Sequence, residues 1–269
     1  MNMISARDYF DLTGRRALIT GATGSLGNLF AHTLAELGTD LILVDRPGSD
    51  FGTLSSALIE RWGVQIESYE CDFEIQGERT QLIDRIKQSN LQLNILINNA
   101  AFVGDADLKG WSVPFEDQSL VTWRRALEVN LTSVFDLCQG LLPVLKVSKG
   151  ATIINIASIY GIYGPDWSLY EGTSMSNPAA YGTSKGGLIQ FTRWLATTIA
   201  PEVRVNAISP GGIFRNQPND FVKRYESKTP LQRMANEQDF RGPIAFLASD
   251  LSNYVTGQIL QVDGGWGCN

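Results

Sequence analysis

One histidine and three cysteines are all that 269 residues offer toward a His/Cys zinc site. His32 has no second histidine to join it, and Cys71, Cys138 and Cys268 stand too far apart to supply the close pairs of a zinc site. An odd number of cysteines at wide spacing suits buried thiols in a reducing compartment and does not describe a disulfide framework. His32 falls inside a helix-like run, 26–37, and reads as a plain helical residue. Cations are outnumbered, 22 Lys and Arg against 28 Asp and Glu, for a net charge of −6. That balance carries no electrostatic footprint for nucleic acid or anionic lipid. No apolar run approaches the roughly 20 residues a bilayer-spanning helix needs, and the start, Met1 to Asp8, lacks the apolar stretch of a signal peptide. Repeats and low-complexity tracts are missing too. The expectation is a cytoplasmic globular chain whose partners are small molecules.

What is present is an alternation. Short β-branched runs at 15–20, 40–44, 65–70, 94–98, 151–156, 203–208 and 258–262 read as strands. Longer amphipathic runs at 26–37, 54–62, 78–88, 121–146, 181–199 and 237–248 read as helices between them. Six of the seven strand candidates have apolar centres without clean alternation, as strands covered on both faces do; the third alternates. Parallel strands need crossover connections, so the succession predicts one α/β domain over 1–269, doubly wound, with a seven-stranded, mostly parallel sheet flanked by helices. Ligands of such sheets bind outside the carboxyl ends of the strands, where the strand order reverses. Two of the segments that follow strand ends are long, 157–178 and 209–229, and these are the candidate substrate walls.

After the first strand comes Thr20-Gly21-Ala22-Thr23-Gly24-Ser25-Leu26-Gly27, running straight into a helix. Glycines permit the tight turn and let the backbone approach a pyrophosphate, whose charge sits on free N–H groups at a helix N-terminus. Gly21, Thr23, Gly24, Ser25, Leu26 and Gly27 are therefore candidate dinucleotide-binding residues. The second strand ends in Asp45, whose carboxylate can accept both ribose hydroxyls of an adenosine and would repel a 2′-phosphate, favouring NAD over NADP. Arg46 tempers this, since a guanidinium binds a phosphate or stacks on adenine. A helix cap or solvated turn remains open for both residues. Asp72, beside Phe73 after the third strand, either accepts from an adenine amino group or caps a turn.

Tyr181 and Lys185 are four apart on a predicted helix and so face the same way. The spacing alone also describes an ordinary surface pair. Context adds weight, because the pair opens the helix after the fifth strand, and that strand delivers Ser158 at its carboxyl end.

Together with Asn98-Asn99-Ala100-Ala101, Asn130 in Val129-Asn130-Leu131, Arg204-Val205-Asn206, Ser209-Pro210-Gly211-Gly212 and the Gly257–Gly265 stretch, these motifs resemble the single-domain short-chain dehydrogenases/reductases over nearly the whole chain. The resemblance implies a Rossmann-type fold and hydride transfer between a nicotinamide cofactor and a secondary alcohol or ketone. It implies Tyr181 as general acid/base, Ser158 as the donor to the substrate oxygen, and Lys185 as the cation that lowers the phenol and holds the nicotinamide ribose. Asn130 would anchor a water linking Lys185 to solvent, Pro210, Gly211, Gly212 and Ile213 would line the nicotinamide, and Asn99 and Ala100 would pass beside its ribose. An unperturbed tyrosine titrates near 10, so a nearby cation is needed for proton exchange at neutral pH. Three positions depart from the family pattern. The glycines are spaced TGxxGxxG, with Ser25 where a glycine is usual; Ala101 replaces a glycine; and Arg215 stands where a threonine often touches the carboxamide.

Ser158 and Tyr181 are 23 residues apart, about ten more than the resemblance implies. The extra material holds Tyr160, Tyr163, Asp166, Trp167, Tyr170 and Glu171, and aromatic faces with carboxylates suit a polyhydroxylated ring. The second wall offers Arg215, Asn216, Gln217, Asn219, Lys223 and Arg224, a set that suits a phosphate or carboxylate unless these groups face water or another subunit. The segment Tyr170-Glu171-Gly172-Thr173 with Asn177-Pro178, together with Pro210-Gly211-Gly212-Ile213-Phe214-Arg215-Asn216-Gln217-Pro218, resembles oxidoreductases of bacterial surface-sugar biosynthesis associated with nonulosonic acids such as legionaminic acid, which implies an amino sugar, a sugar phosphate or a related polyol. A 3-oxoacyl thioester reductase, a sugar-acid dehydrogenase and a non-catalytic NAD-binding sensor are the alternatives. Relatives of this size pair through the helices at 121–146 and 181–199, which implies a homodimer or homotetramer.

Overall fold

A computed structural model describes residues 5–89, 92–104 and 108–268. Residues 1–4, on which part of the signal-peptide expectation rests, lie outside the described residues.

Seven strands form one sheet: β1 (Arg16–Thr20), β2 (Asp40–Asp45), β3 (Ile66–Glu70), β4 (Ile95–Asn98), β5 (Thr152–Ile156), β6 (Arg204–Pro210) and β7 (Ile259–Val262). Their order is β3-β2-β1-β4-β5-β6-β7 and every pair is parallel, so "mostly parallel" is realised as wholly parallel. Continuous apolar strands feed both layers because successive side chains point to opposite faces. Ala17, Ile19, Leu41, Leu43, Ile95 and Ile97 enter a core with α2 (Ser25–Glu36), α3 (Phe51–Trp62) and α9 (Arg241–Ala248). Leu18, Ile42, Val44, Leu96, Ile153 and Val205 enter the other with α4 (Gln76–Gln88), α6 (Ser133–Lys146) and α7 (Ala179–Ile199). The chain leaves β1 for β2 on one side, then returns to place β4 on β1's other side. The gap above β1 and β4 is the crevice that this topology opens.

Three expectations about helices are corrected. The run 121–146 is not one regular helix: α5 (Leu120–Leu127) passes through a π-turn at Glu128–Thr132 before α6 begins. The run 237–248 opens as a 3₁₀ turn, Glu237–Phe240, capped reciprocally by Asn236 and Asp239, before α9. The supposed loop 209–229 contains α8 (Asn219–Lys228), whose Phe221 and Tyr225, four apart, are its buried face. A five-residue helix, α1 (Ala6–Phe10), precedes β1.

Among the described residues no helix is long and apolar enough to cross a membrane, and no cluster of His, Cys, Asp and Glu could hold a metal. Cys71 and Cys138 are buried thiols, both pushed up to about 12 by burial, and Cys268 is exposed. His32 sits on α2, its imidazole pulled down by partial burial.

Candidate active site

A cleft of about 1440 Å³ runs across the carboxyl ends of the strands, from Arg46 and Asp72 at one end to Tyr170 and Gln217 at the other. Its first third is built by the glycine turn. Gly21 has φ +64, and a Cβ there would come 3.0 Å from the Ala100 backbone and the Asn99 amide. A Cβ on Gly27 would come 2.0 Å from the Gly21 carbonyl, so Gly27 is a requirement of the turn and does not line the cleft. Gly24 caps α2 without any side-chain hydrogen bond, which leaves the first N–H groups of a 12-residue helix for an anion. Ser25 is exposed and helical and faces the cleft beside Leu26, so its position makes no demand for glycine.

The Asp45 carboxylate is fixed from both sides. One oxygen accepts from the Thr23 N–H (2.8 Å) and the Thr23 hydroxyl (2.7 Å), and the other from the Arg46 N–H (2.8 Å). Arg46 is exposed at the cleft edge. Asp72 caps a turn, accepting from the Glu74 N–H (2.9 Å), while lining the cleft with Phe73. Thr20, overlooked among the sequence candidates, joins β1 to β4: its hydroxyl accepts from the N–H groups of Asn99 (2.9 Å) and Ala100 (3.0 Å). Asn99 returns hydrogen bonds to the carbonyls of Thr20 and Gly21.

At the centre, Ser158 leaves β5 with 6% exposure. Tyr181 enters the cleft from the first turn of α7 and is hydrogen-bonded by Ser158, which pulls its phenol down; burial, the larger influence, pushes it up. Lys185, one turn on, is 2% exposed. Its Nζ donates to the Ile156 carbonyl (2.7 Å), lies 5.9 Å from the centre of the Tyr181 ring, and is pulled down to about 8 by burial. Asn130 is fully buried in the π-turn, behind the cleft. Its side chain accepts from the Phe102 N–H (2.6 Å) and donates to the Phe102 carbonyl (3.2 Å) and the Ser184 hydroxyl (3.0 Å). Pro210, Gly211 and Ile213 line the cleft at the exit of β6. Gly212, expected beside them, faces away: its N–H donates to the Tyr225 hydroxyl (2.5 Å), and a Cβ would meet the Tyr225 ring at 2.7 Å.

The family model described as Enoyl-(Acyl carrier protein) reductase matches residues 21–267. The chain is a short-chain dehydrogenase/reductase. It is 29% identical over 259 residues to the 3-oxoacyl-[acyl-carrier-protein] reductase FabG of Aquifex aeolicus, covering 94% of this chain and 98% of that protein. A short chain dehydrogenase from Leptospira borgpetersenii with bound NAD+ superposes with a TM-score of 0.82 at 33% identity, covering 99% of this chain and 97% of that one. A gluconate 5-dehydrogenase from Burkholderia cenocepacia, in complex with NADP and tartrate, does so with a TM-score of 0.86 at 26% identity, covering 98% and 100%. The protein is thus an NAD(P)-dependent oxidoreductase of CH–OH or keto groups.

In this dehydrogenase the two segments expected to wall the substrate, 157–178 and 209–229, are fastened to each other. Arg224 on α8 donates to the carbonyls of Leu169 (3.2 Å) and Glu171 (2.5 Å). Lys228 pairs with Asp166 and donates to the Ser168 hydroxyl (2.8 Å). Phe221 meets Tyr170 edge-on (5.4 Å), and Tyr225 stacks on Trp266 (6.1 Å). Arg215 pairs with Glu237 at 2.7 Å. Of the three cations in the set that suits a phosphate or carboxylate, Arg215 and Arg224 are therefore engaged within the protein and Lys223 is exposed. Of the six residues singled out in the longer segment, Tyr160 and Tyr170 line the cleft, whereas Tyr163 bonds the Gly267 carbonyl (3.0 Å) and Trp167 is exposed.

Proposed function

We propose that this dehydrogenase transfers hydride between NAD and a secondary alcohol or ketone of a sugar-like molecule. The carrying observation is the cleft lining beside Ser158 and Tyr181. There Tyr160, Tyr170, Ser174, Ser176 and Asn177 supply hydroxyls and an amide while Phe102, Trp111 and Met175 supply apolar faces, a mixture that suits the C–H faces and hydroxyls of a polyhydroxylated ring. NAD fits the adenosine end, because the Thr23–Asp45 lock holds a negative charge where a 2′-phosphate would lie. The uncapped N-terminus of α2 suits a pyrophosphate, with Gly21, Gly24, Ser25 and Leu26 around it. Asp72, Phe73, Asn99, Ala100, Pro210, Gly211 and Ile213 would hold the rest of the cofactor.

The bound nicotinamide supplies or accepts the hydride. Ser158 donates to the substrate oxygen and orients the carbonyl. Tyr181 gives its phenolic proton to that oxygen during reduction, or takes the alcohol's proton in reverse. Lys185, 5.9 Å from the ring centre, stabilises the phenolate that results. Asn130 ties the β4 exit to Ser184 beside Lys185 and so holds the lysine's surroundings. Phe135 on α6 and Trp194 on α7 are exposed aromatics near Phe191, the surface through which two copies would pair. The free thiols suit a cytoplasmic setting.

The test is NADH absorbance during turnover with wild type and Tyr181→Phe, across neutral polyols, amino sugars, sugar phosphates, sugar acids and 3-oxoacyl thioesters. Turnover of a sugar or polyol, lost at least 100-fold in the variant while NADH binding persists, is expected. Turnover confined to acyl thioesters would overturn the substrate reading. Tight NADH binding without turnover of anything would favour the sensor alternative.

A further inference from the structure

Resting on the sugar-like reading, we infer that Tyr160, Tyr170 and Asn177 form a neutral hydroxyl-binding subsite beside Ser158 and Tyr181. It selects an uncharged polyhydroxylated substrate over one that carries a carboxylate or phosphate.

The subsite is tied to the reacting centre at both ends. Tyr160 stands on the 3₁₀ turn Ile159–Gly161, and its N–H donates to the Ser158 hydroxyl (3.2 Å). That turn is pressed onto α7: a Cβ on Gly161 would lie 2.7 Å from the Lys185 backbone. Asn177 comes two residues before α7 and four before Tyr181. Tyr160 and Tyr170 share a hydrogen bond of 2.7 Å between their hydroxyls, and the Asn177 amide reaches the Tyr170 oxygen at 3.5 Å. All three line the cleft.

A pair of phenols in one hydrogen bond uses one hydrogen and leaves one for a ligand, along with oxygen lone pairs. That combination of donor and acceptor matches a hydroxyl, which needs both. Burial pushes both phenols above their ordinary range, so the pair stays neutral at physiological pH.

Charge settles the selectivity. Among the described residues, the cations lining the cleft are Arg46, Lys185 and Arg215. Arg46 is at the adenosine end beside Asp45, and Lys185 is committed to the Ile156 carbonyl next to Tyr181. Arg215 is neutralised by Glu237. Arg224 and Lys228 on the neighbouring α8 are turned to carbonyls and to Asp166. An anionic group at the subsite would be desolvated with no protein cation free to pair with it, the arrangement that proteins avoid.

The experiment uses the intact enzyme with NAD+ and compares kcat and KM for xylitol and sorbitol with those for gluconate and glucose 6-phosphate, 3-hydroxybutyryl thioester serving as the acyl probe. Binding of the same compounds to the enzyme–NADH complex is read by nucleotide fluorescence. A neutral polyol is expected to be preferred by at least about tenfold in kcat/KM. Tyr170→Phe, which removes one oxygen and keeps the ring against Phe221, should raise the polyol KM about tenfold with kcat within about threefold and NADH affinity unchanged. Equal or better use of gluconate or glucose 6-phosphate overturns the inference while leaving the sugar reading intact, as does an unchanged polyol KM in Tyr170→Phe. Use of the thioester alone overturns both.

Discussion

Replacing Lys185 with methionine should abolish activity and at the same time remove a pH dependence of stability. The ammonium is 2% exposed, and burial lowers it from an ordinary 10.5 to about 8. At about 1.4 kcal/mol per pH unit, that drop corresponds to roughly 3 kcal/mol of destabilisation while the group is charged in the fold. Between about pH 8 and 10.5 the unfolded chain holds this proton and the folded chain does not, so stability rises with pH across that window. Going from pH 7 to 9.5 should therefore stabilise the wild type by about 2 kcal/mol relative to Lys185→Met, the Tyr181 phenol titrating higher still. At pH 7 the variant escapes the roughly 3 kcal/mol but leaves the Ile156 carbonyl without its 2.7 Å donor, at a cost of about 1–3 kcal/mol. It should be as stable as wild type, or more stable by up to about 2 kcal/mol, despite at least a 100-fold loss of turnover. Urea unfolding of both proteins at pH 7.0, 8.0, 9.0 and 9.5 reads this directly. Parallel stability profiles for the two proteins would refute the reasoning, since they would mean that Lys185 titrates alike in the folded and unfolded chain.

Two further outcomes follow from the nucleotide end. Thr23→Val removes the 2.7 Å hydroxyl contact that helps hold Asp45, so the preference for NADH over NADPH, measured as a ratio of dissociation constants, should fall about fivefold; Thr23→Ser should keep the wild-type ratio, and a Val variant that keeps it too removes Thr23 from cofactor choice. Gly27→Ala would ordinarily gain about 1 kcal/mol of helix propensity. Here its Cβ would meet the Gly21 carbonyl at 2.0 Å, so the variant should instead lose about 1–3 kcal/mol in thermal unfolding, and a stabilised variant would show that the turn is not packed this way.

Much of this was legible because the relevant patterns are local. An apolar run too continuous for one face already describes a strand between two helical layers, as 95–98 does with Ile95 and Ile97 in one core and Leu96 in the other. Ser158, Tyr181 and Lys185 were readable from one strand end and one helix start. The setting of Gly212 was not legible, because sequence adjacency to Gly211 does not say which way a peptide faces once a strand has ended; Tyr225, 13 residues on, holds its N–H. Which cations of 209–229 remain free for a ligand was not legible for a related reason. A sequence counts cations and not their partners: Arg215 is met by Glu237 and Arg224 by carbonyls more than 50 residues away. Helix α8 itself shows only Phe221 and Tyr225 as a buried stripe, and its anchors, Tyr170 and Trp266, lie in distant segments.

The break in the run 121–146 shows how such distant demands shape a local element. Before the π-turn the buried positions are Thr122 and Ala126; after it they are Ser133, Val134, Leu137, Cys138, Leu141 and Leu145. An inserted residue changes the phase of a helix, and π-turns of this kind are frequent at functional sites. Between the two phases it buries Asn130, whose amide holds the Phe102 backbone at the β4 exit and the Ser184 hydroxyl on α7. Ser184 is the neighbour of Lys185, so an irregularity in one helix fixes the ground on which the buried lysine of the next one stands. A π-turn and a desolvated ammonium are each unfavourable alone, and both sit against the carboxyl ends of β4 and β5, where fully buried Ile97 and Ile154 anchor the sheet. Such features persist where the surrounding packing and hydrogen bonds hold them, and the carboxyl ends of this parallel sheet supply both.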